Sequence, residues 1–453
     1  MIKYVYDFFD AGRKIPFPNL WSDAVRKHNS LDVEKYPHYN FDYNTQDFFL
    51  HTCHSEFCGN MVTWENIIVL EKTDVLSDND TYFYPIEIFG NHRRLLKTYR
   101  EKNKFGEFYT TSFVDNVSEM AVTLAKKGKL TFVINYSHEP FSDMYFLQEF
   151  SKEIKSLGLD EDNFIFFVGT SNLYDLHPTV KRYNFKFFFE DNLILSTAKK
   201  AKELKYNPNH ALGYETTWFS EHEVFSDKLR GKHFVCPNRN SAKAHRFTIG
   251  CFFESRNLWE NIYASFLRVP DNGVPVYKTS DPEFNKKIVL SAMSFINKIP
   301  IEFDTQNSND KESFESFRAF KKEVYLDSYI HIVTETNFDH DIFITEKIFN
   351  PMVVLQPFIV FGAHGYLKYL QNLGFKTFHP FIDESYDNEK SGDKRYLMLC
   401  SEIDRLSSKS LSEIHDWYNS ISEVLIHNRN HLLTFADKTM FRDNINRYVY
   451  GTE

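Results

Sequence analysis

Short runs rich in β-branched and aromatic residues alternate along this chain with stretches whose apolar residues recur at helical spacing, and that alternation is what most limits its fold. In the first half KLTFVINYS (129–137) reads as a buried strand, and DMYFLQEFSKEIKSLG (143–158) as a helix stopped by its glycine. NFIFFVGT (163–170) and FKFFFE (185–190) read as further strands. In the second half KHFVCPN (232–238) predicts a strand, HRFTIGCFFES (245–255) a helix and SYIHIVTET a strand. TEKIFNPMVV (345–354) predicts a short helix, PFIVFG (357–362) a strand, and YLKYLQNLG (366–374) a helix ended by Gly374. LSEIHDWYNSISEVLIHNRNHLLTFA (411–436) reads as one long amphipathic helix. Strands joined through helices pair in parallel, so the fold class is α/β. The length, 453 residues, is about three typical domains' worth. The expected architecture is two Rossmann-like domains facing a central cleft, divided in the polar stretch near 215–231, as 1–225 and 226–453. The last helix is expected to pack back on the N-terminal domain.

Composition removes several classes. Apolar residues make up 42% and charged residues 25%, and the chain holds 16 Gly and 15 Pro, which rules against disorder, collagen and long flexible linkers. A net charge of -9 gives no basic body for nucleic acid or an anionic membrane. Five cysteines, Cys53, Cys58, Cys236, Cys251 and Cys400, are too few and odd in number for a disulfide framework, and point to a reducing compartment. The N-terminal residues lack the apolar core of a secretory signal. The longest apolar stretch, Ile348 to Leu367, is interrupted by Asn350, Pro351, Gln356, Pro357 and His364, so no membrane span is expected. The expectation is a soluble, cytoplasmic protein.

Familiar nucleotide and metal motifs are missing. No two glycines stand two apart, and neither a phosphate loop nor HExxH occurs. The triplets Asp78-Asn79-Asp80 and Asp339-His340-Asp341 are of the kind that can hold a divalent ion on a diphosphate, but such triplets are common by chance. Cys53, His54 and Cys58, with His51 nearby, have no second half of a zinc site and read as free thiols on a surface loop. No metal site is expected.

The second half carries the candidate chemistry. In open parallel sheets ligands sit beyond the carboxyl ends of the strands. FVCPNRNSAKAHRF (234–247) runs from a strand through a loop with Asn238 and Arg239 into a helix carrying Arg246. Guanidinium groups beside a helix start suit a phosphate, although a solvated basic loop looks the same in sequence. Glu335, in VTETNF (333–338), stands at a strand end and, with Asn238, is expected among the donor-binding residues. In FITEKIFNPM (343–352), Glu346 and Lys347 open a helix. An acid there suits the helix dipole and a lysine opposes it, a conflict that a bound anion would resolve. PFIVFGAHG then ends in small residues that would let a ligand approach the backbone. Together these point to a nucleotide-diphosphate pocket: Arg239, Arg246 and Lys347 on phosphates, and Glu346 on ribose hydroxyls.

The run VTETNF…FITEKIFNPMVVLQPFIVFG resembles the signature of the α1,3-fucosyltransferase family, in which Phe-Glu-Asn ends a strand and Tyr-Ile-Thr-Glu-Lys opens the next helix. Here the first part reads Thr-Glu-Thr-Asn, with Thr336 where the family has Asn, and Ile-Thr-Glu-Lys stands unchanged at 344–347. The loop before Ile344 is one residue longer, and the resemblance covers residues 232–362. It implies a GT-B architecture with an acceptor-binding domain at 1–225 and a nucleotide-sugar donor domain at 226–453. It also implies a nucleotide-sugar donor as co-substrate, no tightly bound cofactor, inversion at the anomeric carbon and no essential metal. By matched position Arg246 contacts the donor diphosphate, Glu346 the ribose and Lys347 a phosphate.

An inverting transfer needs a base for the acceptor hydroxyl. Glu139, in NYSHEPFSD, follows a strongly apolar strand, and Glu139-Pro140 resembles the family's Glu-Ser-Pro segment with the serine missing. His138 is the alternative base, and an ordinary first-turn acid is the plain reading of Glu139. HRRLLKTYREKNK (92–104) and AKKAKELK (198–205) read either as solvated helix faces or as phosphate contacts to a nucleic acid. The expected function is therefore a glycosyltransferase acting on a glycan hydroxyl. The alternatives are a viral enzyme glycosylating a hydroxylated DNA base in the host cytoplasm, a non-catalytic nucleotide-sugar-binding protein, and a sequence-independent nucleic-acid binder. The sugar, the nucleotide base and the oligomeric state stay open.

Overall fold

The computed structural model describes residues 2–7, 67–70, 448–449 and, with short gaps, 77–137, 141–206, 218–301 and 322–437. The chain forms two compact units, Met1–Asn192 with Thr439–Glu453, and Leu193–Lys438.

The first unit contains β1 (Ile2–Asp7), β2 (Ile67–Leu70), β3 (Thr81–Glu87), a short hairpin of β4 (Glu101–Lys102) and β5 (Phe108–Tyr109), β6 (Leu130–Tyr136), β7 (Phe164–Val168) and β8 (Lys186–Phe189). Its main sheet runs β2-β1-β3-β6-β7-β8, with every pair parallel. Helices α1 (Glu119–Lys126) and α2 (Met144–Ser156) connect its strands. Because helices cover such a sheet, its strands lose the usual alternation. All five residues of β7, FIFFV, are buried, and so are six of the seven in β6. On α2, Phe146, Leu147, Phe150 and Ile154 make the buried stripe, and Gly158 ends the turn that follows at φ 72°.

The second unit holds α3 (Asn192–Tyr206) almost entirely, then β9 (Lys232–Cys236), α4 (Ala244–Ser255), β10 (Ile262–Ala264), α5 (Pro282–Ile296), β11 (Ser328–Thr334), α6 (Glu346–Val353), β12 (Phe358–Phe361) and α7 (Tyr366–Asn372). It closes with α8 (Gly392–Ser407), α9 (Leu411–Ser420) and α10 (Ser422–Thr434). Its sheet runs β10-β9-β11-β12, again all parallel. Every residue of β11 and β12 is buried. Gly250 lies inside α4 because a side chain there would collide with the Phe295 ring of α5. The fold is thus α/β, with one parallel sheet in each unit.

Three expectations change. The division falls at Asn192/Leu193, not at 225/226, so α3 goes with the second unit. The 411–436 pattern is two helices that meet at Ile421, and both stay in the second unit. It is the segment Thr439–Glu453 that belongs to the first unit, where Tyr448 and Val449 pack on its core. The described part of the basic run 92–104 forms the 3-10 turn His92–Leu95 and β4, whereas 198–205 lies on α3. Among the described residues no helix is long and apolar enough to cross a membrane.

Candidate functional site

In the second sheet β9 comes first in the chain yet lies between β10 and β11. One connection leaves it toward β10 and a later one returns on its other side to β11. At such a reversal the loops part in opposite directions and open a crevice beyond the strands' carboxyl ends. The two strand ends are followed by Asn238 and by Glu335, and the helices entered after them are α4 and α6.

Arg246, in the first turn of α4, is 6% exposed. Its Nη2 donates to the carbonyl of Thr334, the last residue of β11, at 2.9 Å. Asn238 Nδ2 donates to the Arg246 carbonyl at 2.9 Å, and Thr334 Oγ1 donates to Asn238 Oδ1 at 3.1 Å. The two strand ends are thereby tied through one arginine. Its buried Nε has no hydrogen-bond partner among the described residues, which in a finished interior costs about 1–3 kcal/mol. Burial pulls the guanidinium below its usual pKa, and the charges of Glu335 and Glu346 push back. It stays cationic at any physiological pH.

Lys347 opens α6 beside Glu346. Its Nζ donates to Glu346 Oε1 at 2.9 Å and to Thr345 Oγ1 at 3.2 Å. Both side chains keep roughly a third of their surface, 32% for Lys347 and 28% for Glu346. Burial by itself would raise the Glu346 carboxyl, but the Lys347 ammonium and, further off, Arg246 outweigh it and hold the acid below the usual range. The lysine that opposes the helix dipole is thus balanced inside the chain by its own neighbour.

Glu335 is turned into the chain's interior. It is fully buried, and its carboxylate is occupied. Tyr366 Oη donates to Oε1 at 2.5 Å, Thr345 Oγ1 donates to Oε2 at 2.6 Å, and the Thr336 N–H reaches Oε2 at 3.3 Å. Its own N–H is taken by the Phe361 carbonyl at 3.0 Å. These bonds give Glu335 an internal partner set beneath the start of α6, whereas the sequence reading places it among the donor-binding residues. His245 Nε2 lies 2.8 Å from the Glu335 carbonyl. A carbonyl only accepts, so Nε2 carries the proton. Burial, then the neighbouring Arg246 charge, drive the His245 pKa to about 3, so the ring is neutral.

The glycine-containing loop after β12 is not open either. The Asp387 carboxylate accepts from Leu367 N–H at 2.8 Å and Lys368 N–H at 3.1 Å, and the Asp387 carbonyl accepts from Gly365 N–H at 2.9 Å. The start of α7 is filled by an acid of the chain itself. Arg395, fully buried, pins this loop by donating from Nε to the Gly362 carbonyl at 3.1 Å.

The structure therefore brings Asn238, Arg246, Glu335, Glu346 and Lys347 into one connected network. Arg239, Glu139, His138, Asp78, His340, His51, Cys53, His54 and Cys58 lie outside the described residues. Asp339 accepts from Tyr277 Oη and Asp341 from Asn337 Nδ2. Among the described residues no cluster of three His, Cys, Asp or Glu is placed to hold a metal. Sequence reasoning missed Thr345, whose signal was its place as helix cap before Glu346, and Tyr366, which had none. In the first sheet the reversal falls between β1 and β3, which end at Asp7 and Glu87. The strand before Glu139, β6, is the neighbour of β3.

No protein-family model and no curated protein matches the chain. Among solved structures it is similar to the trehalose-6-phosphate synthase OtsA, at 10% identity over 81% of this chain and 92% of that one, with a TM-score of 0.33. It is similar to WaaG, a glycosyltransferase involved in lipopolysaccharide biosynthesis, at 9% identity over 100% of both chains, with a TM-score of 0.34. It is also similar to the DNA-modifying enzyme β-glucosyltransferase, at 9% identity over 97% of this chain and 100% of that one, with a TM-score of 0.29.

Proposed function

We propose that this chain is a glycosyltransferase of the GT-B class that moves a sugar from a nucleotide-sugar donor to an acceptor hydroxyl. One observation carries the reading. Arg246 from α4 bonds to the carbonyl of Thr334 at the end of β11, and Lys347 from α6 is tied through Thr345 to the next residue, Glu335, beside the reversal between β9 and β11. Two cations from separate helices at that place suit a leaving diphosphate, whose negative charge grows as the glycosidic bond breaks. Each charge-assisted contact contributes about 1.5–3 kcal/mol.

Donor binding replaces internal partners with external ones. Phosphate oxygens take the ammonium of Lys347, which frees Glu346 to accept from ribose hydroxyls. The cations do the neutralising that a divalent ion does elsewhere, so the reaction runs without one and tolerates a chelator. The Ile-Thr-Glu-Lys run at 344–347 supports a relation to the fucosyltransferases and, with it, inversion. Glu139, with His138 as the alternative, is the proposed base on the first unit, which would choose the acceptor, a glycan or a hydroxylated DNA base.

A thermal-shift panel of nucleoside diphosphates and nucleotide sugars tests this. A ligand at 100 times its Kd stabilises the protein by about 2.7 kcal/mol. At least one member of the panel is expected to raise the midpoint, and a flat response to all of them would remove the donor site.

A further inference from the structure

Tyr366 is 1% exposed and begins α7, away from Lys347 in sequence. Gly362 lets it sit where it does: a side chain there would lie 2.9 Å from Tyr366 Cδ2. The glycine that reads in sequence as room for a ligand is room for this ring. From there the Tyr366 hydroxyl reaches Glu335 Oε1 at 2.5 Å.

The next link closes by counting protons and lone pairs. A threonine hydroxyl has one proton and two lone pairs. Thr345 gives its proton to Glu335 Oε2 at 2.6 Å, and accepts from Lys347 N–H at 3.3 Å and Lys347 Nζ at 3.2 Å. Its capacity is then used up, and its direction is set by Glu335. An ammonium has three N–H groups. Those of Lys347 go to Thr345 and Glu346, which leaves one without a partner among the described residues.

We propose that Tyr366 is a positioning residue which, through Glu335 and Thr345, aims the Lys347 ammonium at the donor diphosphate. The inference rests on the glycosyltransferase reading above. Its physical content is competition for a donor. Without the Tyr366 hydroxyl, Glu335 Oε1 keeps, among the described residues, the Thr345 N–H at 3.4 Å. A buried carboxylate oxygen short of donors draws on whatever cation is near. Lys347 and Arg246 are the cations of this network, so the ligand loses what the carboxylate gains.

The test is calorimetric titration of the full chain and its Tyr366→Phe, Thr345→Val and Thr345→Ser variants. The probes are inorganic pyrophosphate, UDP, GDP and ADP, and the corresponding nucleosides without phosphate. Tyr366→Phe and Thr345→Val are expected to weaken the diphosphates by about tenfold, to leave nucleoside affinity unchanged, and Thr345→Ser to restore the wild-type value. A general loss of packing would weaken nucleosides and diphosphates alike, and the serine would not rescue it. If the wild-type chain binds a diphosphate and Tyr366→Phe binds it equally well, the positioning role is overturned while the donor site stands. If the wild-type chain binds none of the phosphate probes, the glycosyltransferase reading itself fails. Should Tyr366→Phe not fold, the contrast between Thr345→Val and Thr345→Ser decides: equal affinities overturn the inference.

Discussion

The two units solve burial differently. Among the described residues the first buries a single charged side chain, Glu161, and fills its interior with rings. Phe113, Phe132, Phe150 and Phe164 touch one another with centroids as close as 4.9 Å, and Phe166 stacks on Phe187. The second unit buries four arginines, Arg230, Arg246, Arg395 and Arg429. Three of them are spent on the chain: Arg230 and Arg395 each clamp backbone carbonyls, and Arg429 holds Phe219 and Glu221. Arg246 has one such bond, and its Nε, like that of Arg429, has no hydrogen-bond partner among the described residues. Arg429 bonds through both Nη groups, whereas Arg246 bonds through Nη2 beside the strand reversal, where the proposed donor site lies. Ring packing fixes volume and leaves direction loose, whereas buried charge fixes direction at a large desolvation cost. A donor site needs direction.

If the first unit supplies the base and the second the donor grip, single substitutions separate the two. The largest effect is expected from Glu139→Gln, which lowers turnover by about 10²–10⁴-fold and leaves nucleoside-diphosphate affinity intact. Single-turnover assay with parallel titration checks it, and wild-type turnover would take Glu139 out of the chemistry. Next, Phe150→Ala should lower the first unit's unfolding free energy by about 3–5 kcal/mol, as read by denaturant titration, with the diphosphate affinity unmoved. A loss of both would couple the ring core to the donor site and break the contrast. The smallest effect is expected from Lys347→Ala, which weakens diphosphate binding by about 1.5–3 kcal/mol with little change in melting temperature, since its side chain is part-exposed.

The sequence made much of this readable where local pattern decides. The strands and helices read at 129–190, 232–255 and 328–374 announce themselves by apolar runs and by Gly158 and Gly374, both at positive φ, whereas β10 and α5 went unread. Elements that mix charge with aromatics were harder: IKYVYD and TYFYPIE carry Lys3, Asp7 and Glu87 among their apolar residues and form β1 and β3. No glycine or proline marks the break at Ile421. Within the site, Asn238, Arg246, Glu346 and Lys347 follow from their positions at strand ends and helix starts. The inward turn of Glu335 was not legible because β11 is buried on both faces, so alternation could not say which way the acid after it turns. The reversal between β9 and β11 is a matter of strand order, which no local pattern encodes. Tyr366 is hidden for a like reason: an aromatic opening a helix reads as packing until its hydroxyl meets Glu335.

Tyr448 returns to the first unit late in the chain. Its ring meets Phe83 at 6.0 Å and Phe188 at 6.4 Å, and Lys186 lies over its face at 4.6 Å. The second unit is therefore nested in the first, like a clause inside a sentence that ends only after it. During synthesis Leu193–Lys438 is complete while its host still lacks this aromatic lid. A ribosome stalled just short of Tyr448 would leave the arginine-bearing unit finished and the ring-filled unit without this ring.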